Sequence, residues 1–282
     1  MKGYEMKTRI MTSNIWGDYF GNPVEERAQN FINIFSRYSP DVIGIQEATT
    51  HWYKSELFDW LTNNYYLAGS EYFADGTANK IKINGEYFDS TNYTVLAYKK
   101  GKYELYEKGM ERYFNTPDPS KVVTWAVLRD VETDKVFGVC DTHLWWKYRN
   151  EDDHKLRAAN ARQMVNVMKH LSQKYGCPVF AMGDFNSLPD CEAYTLLRDE
   201  GVLDLQEVSE VTTDISSYSG DPQRGDDGKL HGKPTTEDKS CSIDHIVAYG
   251  EGYIPKTYAI VTDQDALDSS DHSPVYADIE LV

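Results

Sequence analysis

The sequence predicts a chain of mixed α/β class, with mixed sheets and helices along their faces. Two observations carry this. Short runs rich in Val, Ile and aromatics alternate with stretches that repeat their apolar residues at helical spacing. No short repeat and no low-complexity linker divides the chain, so residues 1–282 are expected to form one domain.

In chain order, the first strand is expected over residues 9–15. A helix follows, with Asn22 as its cap, Pro23 in its first turn and Glu25 and Glu26 at its positive end. Ala28, Phe31, Ile32, Phe35 and Tyr38 form its core-facing stripe, and Pro40 lies just beyond it. Strands are expected at 41–46, 94–98, 124–130, 136–142, 178–182, 243–248 and 274–280. Further helices are expected from about 50 to 61 and from about 153 to 175, the latter ended by Gly176. Residues 214–240 consist almost wholly of Gly, Ser, Asp, Pro, Lys and Thr. They read as a long structureless loop, a form that lids and binding loops share with disordered segments.

Forty-five acidic against 29 basic residues give a formal charge of −16. That balance disfavours a protein that lives on bulk duplex nucleic acid, which needs a basic footprint. A small phosphorylated substrate reached through a bound cation remains compatible with it. No apolar run is long enough to span a bilayer, and residues 1–9 lack the apolar core of a signal peptide. The expectation is a cytoplasmic protein, secreted only if a signal peptide has been removed. Four scattered cysteines make neither a disulfide framework nor a zinc site.

Polar groups collect where apolar strands end: Thr12-Ser13-Asn14, Gln46-Glu47, Asp141-Thr142-His143, Gly183-Asp184-Phe185-Asn186 and Ser270-Asp271-His272. Strand ends are where ligand sites sit in layered α/β proteins. A single carboxylate there is usually a turn former and a lone His usually structural. The joint occurrence is what points to chemistry. Carboxylates and amides as oxygen donors suit Mg²⁺, or Mn²⁺, better than zinc.

Thr12-Ser13-Asn14-Ile15-Trp16, Gln46-Glu47, Thr142-His143-Leu144, Gly183-Asp184-Phe185-Asn186-Ser187, Ile243-Asp244-His245-Ile246 and Ser270-Asp271-His272-Ser273-Pro274 resemble, in order, the motifs of the endonuclease/exonuclease/phosphatase family. The resemblance covers about residues 7–281. It implies a four-layer sandwich, two mixed β-sheets face to face and flanked by helices, and Mg²⁺-dependent hydrolysis of phosphate esters. By the same resemblance Glu47 is the main metal ligand, with Asn14 and Asp271 beside it. Asp184 positions or activates the attacking water, and Asn186 holds that water or the phosphate. Asp244 orients His272, as base or phosphate clamp, and His143 stabilises the phosphate oxygens in the transition state.

One departure stands out. Many family members carry a Glu ahead of the strand at 94–98, paired with the histidine at His143, where this chain has Asn92. An amide cannot raise an imidazole pKa as a carboxylate does. Trp145 and Trp146 follow His143 and suit either core packing or stacking on a sugar or base. His245, next to Asp244, belongs to the opposite strand face. The expected substrate is a small or lipid-like phosphoester. A nuclease of the same fold and a non-catalytic binding module that keeps the fold are the alternatives.

Overall fold

The computed structural model describes residues 6–69, 80–83, 86–89, 93–114, 116–118 and 120–282. Residue 92 therefore lies outside the described residues.

Strict alternation along the strands separates three apolar layers. Phe137 and Val139 on one strand, and Phe180 and Met182 on the next, enter a central core. Cys140, Val179 and Ala181, between them in sequence, face a second core. A period of two puts successive side chains on opposite faces, so strands buried on both sides read as near-continuous apolar runs.

Those strands build two large sheets. The seven-stranded sheet has the order β12 (Val211–Thr212), β16 (Tyr253–Ile260), β17 (Val275–Leu281), β1 (Met6–Asn14), β2 (Val42–Ala48), β6 (Tyr93–Lys99), β3 (Tyr65–Ala68). The six-stranded sheet runs β11 (Leu203–Asp204), β15 (Asp244–Tyr249), β10 (Val179–Asp184), β9 (Val136–His143), β8 (Val122–Asp130), β7 (Tyr103–Arg112). Ile10, Val42, Leu96 and Ala277 of the first meet Ala126, Val139, Met182 and Ile246 of the second in the central core. Helices α1 (Glu25–Tyr38) and α2 (Glu56–Asn64) cover the outer face of the seven-stranded sheet. Helices α3 (Glu151–Tyr175) and α4 (Glu192–Asp199) cover the other. The result is the expected four-layer sandwich. A separate pair, β4 (Lys80–Ile83) and β5 (Glu86–Asp89), forms a small antiparallel ribbon. No described helix is long and apolar enough to cross a membrane.

All eight expected strands are present, with ends no more than three residues from those expected. Helix α3 ends as read, with Gly176 left-handed at φ 62°. Its start is capped by Asn150, whose side chain accepts the Asp153 N–H. Three expectations need correction. Asn22 does not cap α1, because Val24 holds that position without a side-chain bond. The Asn22 amide instead donates to the Gly17 carbonyl, beside a short 3-10 turn at Tyr19–Gly21. The expected helix at 50–61 divides into a 3-10 turn, Trp52–Lys54, and α2. Finally, the 214–240 stretch is not structureless. It carries a hairpin, β13 (Gln223–Arg224) with β14 (Leu230–His231), and leads into a 3-10 turn at Lys239–Cys241. Strands of two residues around a Gly/Asp turn leave no apolar run to read.

Candidate active site

Three neighbouring strands of the six-stranded sheet bring their polar ends into one row. Asp184 at the end of β10 is the register partner of His143 on β9 and of Asp244 on β15. Cross-strand partners share a face, so pairing alone sets these three groups side by side. Gly183 makes the approach possible. A Cβ there would lie 1.9 Å from the Thr142 carbonyl oxygen, and its φ is 149°. Beyond the strand, the Asn186 N–H donates to Asp184 Oδ1 at 2.8 Å, with Asn186 itself left-handed at φ 47°.

The seven-stranded sheet supplies the other half by kinks. Asn14 ends β1 in a tight turn, where its Oδ1 accepts the Trp16 N–H. Glu47 sits at an irregularity of β2, where the register against β6 shifts, and is left-handed at φ 63°. Non-glycine residues in that region are strained and collect at functional sites. The Gly17 N–H holds Glu47 Oε2 at 2.8 Å. Asp271 and His272 arrive on the segment that leads into β17.

The halves meet at one oxygen. Asn14 Nδ2 lies 3.0 Å from Asp184 Oδ2 and 3.1 Å from Glu47 Oε1. His143 Nε2 is 3.3 Å from the same Asp184 oxygen and His272 Nε2 is 3.8 Å from it. His272 Nδ1 faces Asp244 Oδ2 at 2.8 Å. Thus Asn14, Glu47, His143, Asp184, Asp244, Asp271 and His272 converge.

Burial charges this pocket with competing demands. It raises the Asp184 carboxyl pKa, against the pull of His272 and Lys121. Asp271 is pushed up to about 6 by burial, with His272 opposing and the Glu47 charge adding. His272 is desolvated, yet Asp244, Asp271 and Asp184 together hold its pKa well above the ordinary value. His143 goes the other way: burial, then the charges of Lys121 and His272, keep its imidazole neutral. His143 Nδ1 has no hydrogen-bond partner among the described residues.

The donor chemistry fits a divalent cation. Carboxylate and amide oxygens dominate, and the Glu47 and Asp271 charges disfavour one another when nothing positive lies between them. Glu47, His143 and Asp184 also each offer an atom within 4.8 Å of the other two.

Several expected contributors stand elsewhere. Trp145 is buried, and its indole N–H donates to Asp153 Oδ1 at 2.8 Å, so it is a core residue that closes the start of α3. Trp146 remains substantially exposed. The Asn186 amide is turned to the Leu144 carbonyl at 3.3 Å. His245 points away from the site, against Phe185 and Tyr194, as its strand face requires.

Two residues escaped the sequence reading. Lys121 is only 2 % exposed and has no ion pair among the described residues; burial lowers its pKa against the charges of Asp118, Asp184 and Glu47, and its own charge helps to keep His143 neutral. A turn built on Asp118 leads it into β8. A single lysine abutting Val122-Val123 carries no motif. Arg27 is fully buried on α1, where its guanidinium lies over Trp16 and Trp52 and donates to the Ile15 and Ser269 carbonyls. It ties the turn after Asn14 to the segment before Asp271. Helical position alone would have put an arginine at the surface.

Beneath the site a polar brace crosses the central layer. Gln46 Nε2 donates to Asp141 Oδ1 at 2.6 Å and to Thr12 Oγ1 at 2.9 Å. Asp141 is fully buried, and burial raises its pKa far above the usual carboxylate range.

The family model described as endonuclease/exonuclease/phosphatase matches residues 11–272, spanning every group named above. The chain belongs to the endonuclease/exonuclease/phosphatase family. Solved structures of this fold superpose over nearly the whole chain. An endonuclease/exonuclease/phosphatase family protein from Bacteroides thetaiotaomicron aligns with a TM-score of 0.73 and 20% identity, covering 99% of both chains. A mannosyl-6-phosphatase from Bacteroides thetaiotaomicron VPI-5482 aligns at 0.70 and 20%, covering 96% of this chain and 99% of the other. The human Nocturnin catalytic domain, solved with a sulfate anion, aligns at 0.68 and 17%, covering 98% and 95%. No curated protein matches the sequence.

Proposed function

We propose that this protein hydrolyses phosphate esters with the help of Mg²⁺ or Mn²⁺, on a small or lipid-like substrate, as a single catalytic domain. The observation that carries the reading is the convergence of Asn14, His143 and His272 on Asp184 Oδ2, from both sheets, beside Glu47. Family membership and the mannosyl-6-phosphatase of the same fold agree with it.

In this reading Glu47, with Asn14 and Asp271, holds the cation. When bound, the cation supplies Lewis acidity and a template for the phosphate. Asp184 takes a proton from the water as the water oxygen bonds to phosphorus; its raised pKa suits it to that task. The ester P–O bond breaks on the opposite side, and the leaving oxygen departs with the electron pair and is protonated by solvent. Lys121 and protonated His272 meet the charge that gathers on the phosphoryl oxygens. Neutral His143 orients the Asp184 carboxylate by donating from Nε2. Trp146, exposed three residues after His143, offers a surface to the organic part of the substrate. A chain at −16 repels polyanions, which favours a compact phosphoester over DNA or RNA.

The test is hydrolysis of p-nitrophenyl phosphate and bis-p-nitrophenyl phosphate with and without Mg²⁺, alongside plasmid nicking. We expect metal-dependent release of nitrophenol and little nicking. Nicking as the dominant activity would move the substrate class to nucleic acid. Absence of all three activities, in the presence of either metal, would reduce the site to a binding module.

A further inference from the structure

The 214–240 segment enters the site at a position that none of the roles above uses. Ser217 is completely buried, and its hydroxyl oxygen lies 2.7 Å from Asp244 Oδ2. That is the oxygen already engaged by His272 Nδ1. The same Ser217 oxygen accepts the Asp244 N–H at 3.0 Å and the Ile243 N–H at 3.3 Å. A hydroxyl has one proton to give and two lone pairs to receive. With both lone pairs taken by N–H groups, the proton has one place left to point, the Asp244 carboxylate. Ser217 is therefore a donor of fixed direction. Its backbone holds the other member of the pair. The Ser217 carbonyl accepts the Ser273 N–H at 2.7 Å, one residue beyond His272. Next to it, Tyr218 packs its ring edge-on to His272 at 5.3 Å, and Ser219 and Gly220 both donate N–H bonds to the Asp271 carbonyl.

We propose that Ser217 is a positioning residue for catalysis: it fixes the rotamer of Asp244 by hydroxyl and the place of His272 by carbonyl, making a serine–aspartate–histidine relay of orientation. Asp244 Oδ1 has no partner among the described residues, so Oδ2 alone is held, and Ser217 is the side chain that holds it besides His272. Without that donor the carboxylate rotates, and the imidazole it aims loses its bearing on Asp184. Partners one step removed from a reacting group are worth roughly 10–100-fold in rate. The proposal rests on the phosphoester-hydrolase reading for its rate consequence but not for its geometry.

The experiment uses the full chain and the variants Ser217→Ala, His272→Ala and their double mutant. We expect Ser217→Ala to lower kcat on bis-p-nitrophenyl phosphate about tenfold with KM within twofold. In the His272→Ala background the same change should cost less than twofold, because there is no imidazole left to aim. Proton NMR supplies a reading independent of activity: the downfield His272 Nδ1–H signal should shift or broaden in Ser217→Ala. Should that variant fail to fold, Ser217→Cys keeps the shape and weakens the donor, and the same signal is followed there. An unmoved His272 signal in a folded variant overturns the proposal, as does an equal loss of kcat with and without His272. If the wild type hydrolyses no phosphoester, the hydrolase reading fails while the NMR result still decides the role of Ser217.

Discussion

The two sheets make their halves of the site by different means. The six-stranded sheet does it by register: His143, Asp184 and Asp244 are strand partners, presented together once Gly183 lets β9 and β10 approach. The seven-stranded sheet does it by distortion. Asn14 lies just before a left-handed Trp16, and Glu47 is itself left-handed within an irregular stretch of β2. The first half is inherited from the sheet. The second departs from it and is held by specific bonds, Gly17 N–H to Glu47 and Arg27 to two carbonyls. Rows position groups that must be aligned with one another, whereas kinks expose lone pairs that strand pairing would otherwise turn aside.

Breaking the kinked half should have the largest effect. Glu47→Gln is expected to lower kcat/KM by roughly 10³-fold, since a neutral amide replaces the main anionic oxygen donor, while the fold persists. Activity against Mg²⁺ concentration, with calorimetric titration of the metal, measures it. Wild-type activity surviving in excess chelator would refute the metal role. In the register-built half, Gly183→Ala should fail at the level of folding. A methyl 1.9 Å from the Thr142 carbonyl forces β9 and β10 apart, at a cost of about 3 kcal/mol or more. Gly176→Ala is the control, because its Cβ would meet nothing within 4 Å and the expected cost is about 1 kcal/mol. Equal losses of Tm would show that the close strand approach is not the constraint.

Lys121→Met separates function from stability. Removing a buried amine that has no ion pair among the described residues, and whose charge burial disfavours, should leave Tm unchanged or higher, while kcat/KM falls roughly 10²-fold. A parallel drop in both would make Lys121 a structural residue.

The smallest effect is expected at the brace that joins the halves. The folded-state pKa of Asp141 is raised by burial, so its proton stays on in the native state after the unfolded chain has released its own. Its contribution is intact below the unfolded value of about 3.9 and is lost as pH rises from there toward the folded value. Asp141→Asn cannot ionise. Its Tm relative to wild type should therefore climb with pH from about 4 upward. A difference that is flat with pH would mean that Asp141 is not held protonated.

The contrast between the halves also explains what could be read before the fold was known. The row of His143, Asp184 and Asp244 was legible because His143 and Asp184 close apolar strands and Asp244 opens one, and because GDFN and SDHSP are specific together. Glu47 was legible as a residue but not as a kink, since nothing in Gln46-Glu47 announces a left-handed glutamate. Strand β7 was missed because its outward face is Glu and Lys on a sheet edge, which leaves little alternation to see. Ser216 and Ser217 hid in a polar stretch for a simpler reason. A serine looks the same in a sequence whether it is solvated or, as here, sealed against a carboxylate. Lys121 and Arg27 defied the usual prior that long cations lie at the surface.

Strand β17 pairs with β1 on one side and β16 on the other, so the last strand of the chain is laid beside the first. The histidine it delivers completes a pocket whose opening residue, Asn14, is made some 258 positions earlier. The groups of β1, β2, β9, β10 and β15 therefore make only part of the site until the segment carrying Asp271 and His272 is in place. Closing a loop of that span is slow compared with hairpin or helix formation. The site is complete only with β17 seated between β1 and β16. A chain cut before Asp271 should keep Glu47, Asp184 and Asp244 and, without Asp271 and His272, do no chemistry with them.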